Sequence, residues 1–222
     1  MHAFLLSGFL LATPVVVELF TSQGCSSCPP ADALISQLAR QPGQVIPLAF
    51  HVDYWDHLGW RDPFSSRLWT QRQMMYVRSF HLDSAYTPQM VVNGSRQFVG
   101  SNASVMKAAV DEASRRKPVG NVAVEVTRHD SKIDATVRAE APQSSDVVLV
   151  VFENNVATRI ERGENEGRRA TDDAIVRRIM RVGQGSLTQT VSVDTDPSWK
   201  RVGVVVFVQD RATLAITAAA VR

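Results

Sequence analysis

Gly24-Cys25-Ser26-Ser27-Cys28-Pro29-Pro30 holds the only two cysteines of the 222-residue chain, separated by two small residues. A strand-forming run, Val15-Val16-Val17-Glu18-Leu19-Phe20, leads into it, and a helix-forming run from Ala31 to Ala39 leads out. The first turn of a helix carries unpaired N–H groups and the positive end of the dipole, so it favours negative charge. Cys25 is therefore expected to ionise more readily than a free thiol, on an exposed first turn. Cys28, about one turn later, is within reach for a disulfide. Three other readings stay open. A structural disulfide gains little entropy from so short a loop. A zinc site lacks a second cysteine pair or a cysteine–histidine cluster. Two inert core cysteines would sit in poor company among glycine, serine and proline.

The lead-in run is apolar without alternation, as in a strand covered on both faces. Glu18 interrupts it, and a carboxylate there is costly unless paired or neutral. Two placements fit: beneath the cysteines with a raised pKa, relaying a proton to or from Cys28, or on the solvent side of an amphipathic strand. The helix stops near Gln41-Pro42-Gly43, and Val45 to Val52 reads as a second buried strand. Strand, helix and strand with a short return imply a right-handed parallel crossover, whose sites gather beyond the carboxyl ends of the strands. That edge receives both Cys25 and Asp53-Tyr54-Trp55-Asp56-His57. Tyr54, Trp55, His51 and His57 are candidates for its rim, each histidine reading first as an ordinary surface or satisfied residue and only second as a catalytic one.

Asp62-Pro63 has the form of a cap and first helical position, opening a helix through Phe64, Leu68, Trp69, Gln73, Tyr76, Val77 and Phe80. Tyr86-Thr87-Pro88-Gln89 then precedes a hairpin, with Met90 to Val92 and Gln97 to Val99 as strands and Asn93-Gly94 as the turn. Pro88 cannot donate a ladder hydrogen bond. A cis Thr87–Pro88 bond would present backbone groups beside the cysteines. Ser101 is expected to cap a helix through Val105, Ala108, Ala109 and Ala113, ended by Pro118.

In that order, Glu18 to Asp32, His51 to Asp56 and Tyr86 to Gly94 resemble a bacterial, usually exported thioredoxin-like family of unknown function. The resemblance implies a thioredoxin fold with Cys25 as attacking thiol, Cys28 as resolving thiol and Glu18 as the buried acid. It also implies that Pro88 is the cis-proline that docks an extended substrate. Thr87, Trp55 and Tyr54 are expected to bind that substrate. Gly24 replaces the aromatic that usually precedes the first cysteine, and Ser26-Ser27 replaces Gly-Pro, so the direction of electron flow is not carried over.

After Pro118 the character changes. Val122, Val124 and Val126 alternate, as do Ile133, Ala135, Val137 and Ala139, and further strands read at Val147–Phe152, Leu187–Val193, Val202–Val208 and Leu214–Val221. About seven short strands suggest an antiparallel sandwich. Gly163-Glu164-Asn165-Glu166-Gly167-Arg168-Arg169 reads as a solvated hairpin loop. The expected architecture is α/β, with a thioredoxin-like domain over 13–118 and a β-sandwich-like domain over 119–222.

A net charge of +2 gives no reason to invoke nucleic acid or an anionic membrane as partner. Met1 to Ala12 is apolar but too short to span a bilayer. It reads as a signal peptide without its basic start, or as a first strand or leader. The functional expectation is a thiol–disulfide oxidoreductase on protein or small-molecule thiols, periplasmic or secreted (alternatively cytoplasmic), with no cofactor and no bound metal. Two alternatives stand beside it: a copper(I)-binding module using Cys25 and Cys28, and a non-catalytic interaction protein on the same scaffold. Oligomeric state is left open.

Overall fold

The structure, a computed structural model, describes residues 14–41 and 43–222, so the leader read in Met1 to Ala12 lies outside the described residues. Strands β1 (Val15–Thr21) and β2 (Val45–His51) flank helix α1 (Pro29–Arg40). Helix α2 (Arg67–Ser79), strands β3 (Gln89–Val92) and β4 (Arg96–Val99), and helix α3 (Ala103–Ser114) follow. From there the elements are strands: β5 (Asn121–Arg128), β6 (Lys132–Glu140), β7 (Ser145–Glu153), β8 (Val156–Arg159) and β9 (Arg169–Asp172). The last four are β10 (Ile175–Gln184), β11 (Leu187–Asp194), β12 (Val202–Asp210) and β13 (Ile216–Val221).

β1 and β2 run parallel, from Val15 opposite Val45 to Thr21 opposite His51, which sets the cysteine turn and residues 52–57 at one edge. β3 pairs antiparallel on the other side of β1. Eight strands form one mixed sheet in the order β13-β12-β7-β10-β2-β1-β3-β4. A second sheet, β11-β6-β5, lies apart, as does the hairpin β8-β9. The large sheet therefore contains strands from both sides of residue 118. Its halves meet at one rung, where Ala49 lies opposite Ile175 and the Ala49 N–H donates to the Ala174 carbonyl at 2.7 Å.

β10, which makes that join, does not read as a strand in the sequence. Arg177, Arg178 and Arg181 interrupt its apolar residues, and register shifts at Val176/Arg178 and Arg181/Gly183 break the period of two. Arg177 is accommodated by a 2.7 Å pair with Glu153 and by the Phe64 ring 4.6 Å beneath it.

β7 and β12 are covered on both faces, which explains their uninterrupted apolar sequences. Val148, Val150, Phe152, Val205 and Phe207 join the core under the helices. Val147, Leu149, Val151, Val204, Val206 and Val208 pack instead against the alternating residues of β5 and β6. Each such side chain contributes about 1.5–3 kcal/mol on burial. Two helix starts differ from the sequence reading. Ser66, not Asp62, caps α2, its hydroxyl accepting from the Leu68 N–H at 3.2 Å. Asn102, not Ser101, caps α3 by accepting from the Val105 N–H at 3.1 Å. Among the described residues no helix is long and apolar enough to cross a membrane.

Candidate functional site

β1 delivers the chain into a tight turn, in which the Cys25 N–H donates to the Ser22 carbonyl and the Cys28 N–H to the Cys25 carbonyl. Cys28 is the N-cap of α1 and prolines fill the first two helical positions. Cys25 therefore sits just before the helix. Cys25 and Cys28 form a disulfide, their Cα atoms 5.5 Å apart. Gly24 packs tightly, since a Cβ there would stand 3.3 Å from the Trp55 Cβ. Contrary to the exposed turn expected from sequence, both cysteines have 0% exposure.

Hydroxyls surround the first sulfur. Thr87 Oγ1 donates to Cys25 Sγ at 3.2 Å, and Ser27 Oγ lies 3.3 Å from the same atom. The Trp55 indole N–H donates to Thr87 Oγ1 at 2.8 Å, so the indole holds the threonine that faces the sulfur. The Thr87–Pro88 bond is cis. Tyr54 stands one step further back. Its hydroxyl donates to Gln73 at 3.1 Å, and Gln73 donates to the Tyr86 carbonyl just before Thr87. Burial pushes the Tyr54 phenol up to about 12, so it stays protonated. Thr87, Trp55, Tyr54 and the Pro88 segment thus converge on Cys25.

Glu18 does not join them. Residues three apart on a strand point to opposite faces: Thr21 faces α1, and Glu18 faces α2. The Glu18 carboxylate is buried, accepting from Arg72 Nε at 2.6 Å and from the Tyr76 hydroxyl. The Arg72 guanidinium lies over the rings of Phe50, Tyr76 and Phe207, at 5.4 to 5.5 Å. Glu18 is fully engaged in a core ion pair, neither solvent-facing nor beneath the disulfide.

Asp32 follows Cys28 by four residues and so shares its side of α1. Its Oδ1 accepts from the Thr21 hydroxyl at 2.6 Å. Loss of solvent and the nearby Asp172 outweigh that bond and raise the Asp32 carboxyl to about 7. Burial also raises Asp172, whose Oδ2 accepts from Gln23 Nε2 at 2.7 Å. The Gln23 backbone N–H donates to Asp62 Oδ2 at 2.8 Å, and that oxygen lies 2.7 Å from His51 Nδ1. Burial opposes the imidazolium, but the Asp62 charge and hydrogen bond prevail and hold His51 at about 9. The same pairing outweighs burial at Asp62 and keeps its carboxyl below the usual range. Three carboxyls and one imidazole therefore gather around Gln23. A cleft of about 300 Å³ beside them is lined by Asp32, Asp172, Ser36, Arg40, Arg168 and Arg169.

Sequence reasoning missed the loop from Ile160 to Arg168, which is the tip of the β8–β9 hairpin and no solvated turn. Asn165 is 3% exposed, and its Nδ2 donates to both the Gln23 and Cys25 carbonyls at 2.9 Å. Glu164 Oε2 accepts from the Ser26 N–H at 3.0 Å, which, with a bond from the Ser26 hydroxyl, holds its carboxyl below the usual range. Gly163 and Gly167 flank this tip in the left-handed region. A neutral amide between two acids, bracketed by glycines, was the available signal. Its partners lie 140 and 142 residues away, where local pattern carries no information. Among the described residues, no group of three or more histidine, cysteine, aspartate or glutamate side chains is placed to hold a metal ion.

The chain belongs to a protein family of unknown function (DUF1223), which matches residues 16–209. No curated protein matches it. It is similar to the crystal structure of protein AGR_C_4864 from Agrobacterium tumefaciens, at 28% identity and a TM-score of 0.74, over 95% of this chain and 94% of that one. It is also similar to HBP35 of Porphyromonas gingivalis, at 15% identity and a TM-score of 0.67, over 95% of this chain and 75% of that one. The second likeness is one of fold alone.

Proposed function

We propose that this family member is a thiol–disulfide oxidoreductase with a thioredoxin-like first half, acting through Cys25 and Cys28 on protein or small-molecule thiols. The observation that carries the reading is the Thr87 hydroxyl 3.2 Å from Cys25 Sγ, in the residue that precedes cis-Pro88. It joins the redox pair to the segment that would dock a substrate. The strand order β2-β1-β3-β4 supports the thioredoxin likeness. On this reading residues 13–118 carry the chemistry, and the sandwich-like remainder supplies the cover of the site. The apolar leader supports a periplasmic or secreted setting.

In the oxidising direction, a substrate thiolate attacks Cys25 Sγ, forming a mixed disulfide and breaking the Cys25–Cys28 bond. The electron pair leaves on Cys28 Sγ, which takes a proton from Asp32. A second substrate thiolate attacks the substrate sulfur of the mixed disulfide and expels Cys25 as a thiolate, towards which the Thr87 and Ser27 hydroxyls can donate. The substrate loses two electrons as its disulfide forms, and the cysteine pair gains them. The reverse sequence is reduction, with Cys25 attacking and Cys28 resolving. A carboxyl held at about 7 can give or take that proton near neutral pH. Pro88 and Thr87 dock the substrate, Trp55 orients Thr87, and Tyr54 fixes the Tyr86–Thr87 segment through Gln73.

The test is dithiothreitol-dependent reduction of insulin disulfides by the wild type, Cys25→Ser and Cys28→Ser proteins. Cys25→Ser is expected to abolish turnover, and Cys28→Ser to accumulate a mixed disulfide visible by mass. Turnover retained without Cys25 would overturn the assignment.

A further inference from the structure

A sulfur nucleophile must come within about 3–3.5 Å of its target sulfur to react. Cys25 and Cys28 expose no surface at all, so the form described here is closed to every substrate. Three contacts of the 160–168 loop lie over the turn that carries Cys25. Asn165 holds the Gln23 and Cys25 carbonyls, and Glu164 holds the Ser26 N–H. The loop closes at its own neck, with Ile160 N–H donating to the Arg168 carbonyl and Gly167 N–H to the Ile160 carbonyl. Its hairpin pairs with no other strand, β8 bonding only β9. Gly163 is packed against Trp60, while Gly167 has open space around it. The arm closes on itself and meets the cysteine turn at two places, through its tip and through Asp172 at the end of β9.

We propose that residues 160–168 form a gate over the disulfide, with Glu164 as the latch that sets how often it opens. The two latch contacts differ in kind. Asn165 is buried and fixes the shape of the turn, whereas Glu164 is exposed and bonds one backbone N–H and one hydroxyl. Losing the exposed contact should free the tip without disturbing the core. Glu164 is a positioning residue: it touches Ser26 and acts on the sulfurs only through the closed arm. The inference rests on the reading of Cys25 as the attacked sulfur, but its test measures access alone.

The rate at which excess neutral dithiothreitol reduces the Cys25–Cys28 disulfide is measured for the wild type and for Glu164→Gln and Glu164→Ala, trapping freed thiols with iodoacetamide. Hydrogen exchange at the Ser26 amide is followed in the same proteins. One lost charge-assisted hydrogen bond should raise both rates about tenfold, with the melting temperature unchanged. Equal rates in all three proteins would overturn the gate, as would faster reduction without faster Ser26 exchange. Gated reduction together with insulin turnover in Cys25→Ser would leave the gate standing and remove the oxidoreductase assignment. Ungated reduction with Cys25-dependent turnover would do the reverse.

Discussion

Two buried ionic clusters flank β1, and they differ in balance. On the α2 face, Glu18 meets Arg72 with Tyr76 between them, one negative charge against one positive, wrapped in aromatic rings. On the cysteine side, Asp32, Asp62 and Asp172 share one imidazole, His51. A matched pair holds each charge against its opposite in one buried contact. An excess of carboxyls keeps protons in play, since like charges in one desolvated site cannot all ionise. The contrast separates a carboxylate that builds the core from a cluster whose Asp32 carboxyl is held at about 7.

The largest effect should come from unbalancing the matched pair. Glu18→Gln leaves Arg72 buried without its counter-charge and should cost about 3–5 kcal/mol in denaturant unfolding, with the reduction potential of the cysteines unmoved. Replacing Glu18 and Arg72 together by methionine should restore most of the loss. A shifted potential at unchanged stability would return Glu18 to the cysteine pair and erase the contrast.

Asp62→Asn is expected to cost less, about 1.5–3 kcal/mol near pH 7, the value of a hydrogen bond to a charged group. The sign with pH is the more telling observation. His51 is raised from 6.5 to about 9, so its contribution is complete below 6.5 and fades as the pH climbs through 9. Asp62 is lowered, so its contribution is complete above 3.8 and fades in acid. In the variant the alkaline decline between 6.5 and 9 should disappear from melting curves.

The smallest effect should have the opposite sign. Asp32 keeps its proton to about 7 in the fold and releases it near 3.8 when unfolded, so stability falls as the pH rises between those values. Asp32→Asn keeps an oxygen for the Thr21 hydroxyl and removes that penalty. Its melting temperature should exceed the wild type by roughly 2–4 °C at pH 8 and match it at pH 4. A loss at pH 8 would mean that the carboxylate is matched after all, like Glu18.

The sequence made some of this legible and withheld the rest for definite reasons. β1, α1, β2 and the β3–β4 hairpin read directly because each carries its own local signal: apolar runs, a helix-forming run, Asn93-Gly94. Trp55 and Tyr54 could be placed at the cysteine edge because a parallel crossover dictates which ends meet, whereas the Thr87–Pro88 segment was placed there through the family resemblance. Glu18 was misplaced because period-two alternation fixes its face only relative to its neighbours, while its partner Arg72 lies 54 residues on. Asp62 looked like a helix cap because the same side chain that caps can equally bind a distant histidine. Asp172 and Asn165 reach the site from beyond residue 118, through a strand, β10, whose bulges hide it.

The Asn165 anchor has a consequence for the order of synthesis. The asparagine that pins the Cys25 carbonyl is made 140 residues after the cysteine itself. At 5–20 residues per second, that is an interval of roughly 7 to 28 s. Throughout it the Gln23 and Cys25 carbonyls lack the amide that satisfies them in the finished fold, so the cysteine turn takes its final hydrogen bonds late in synthesis.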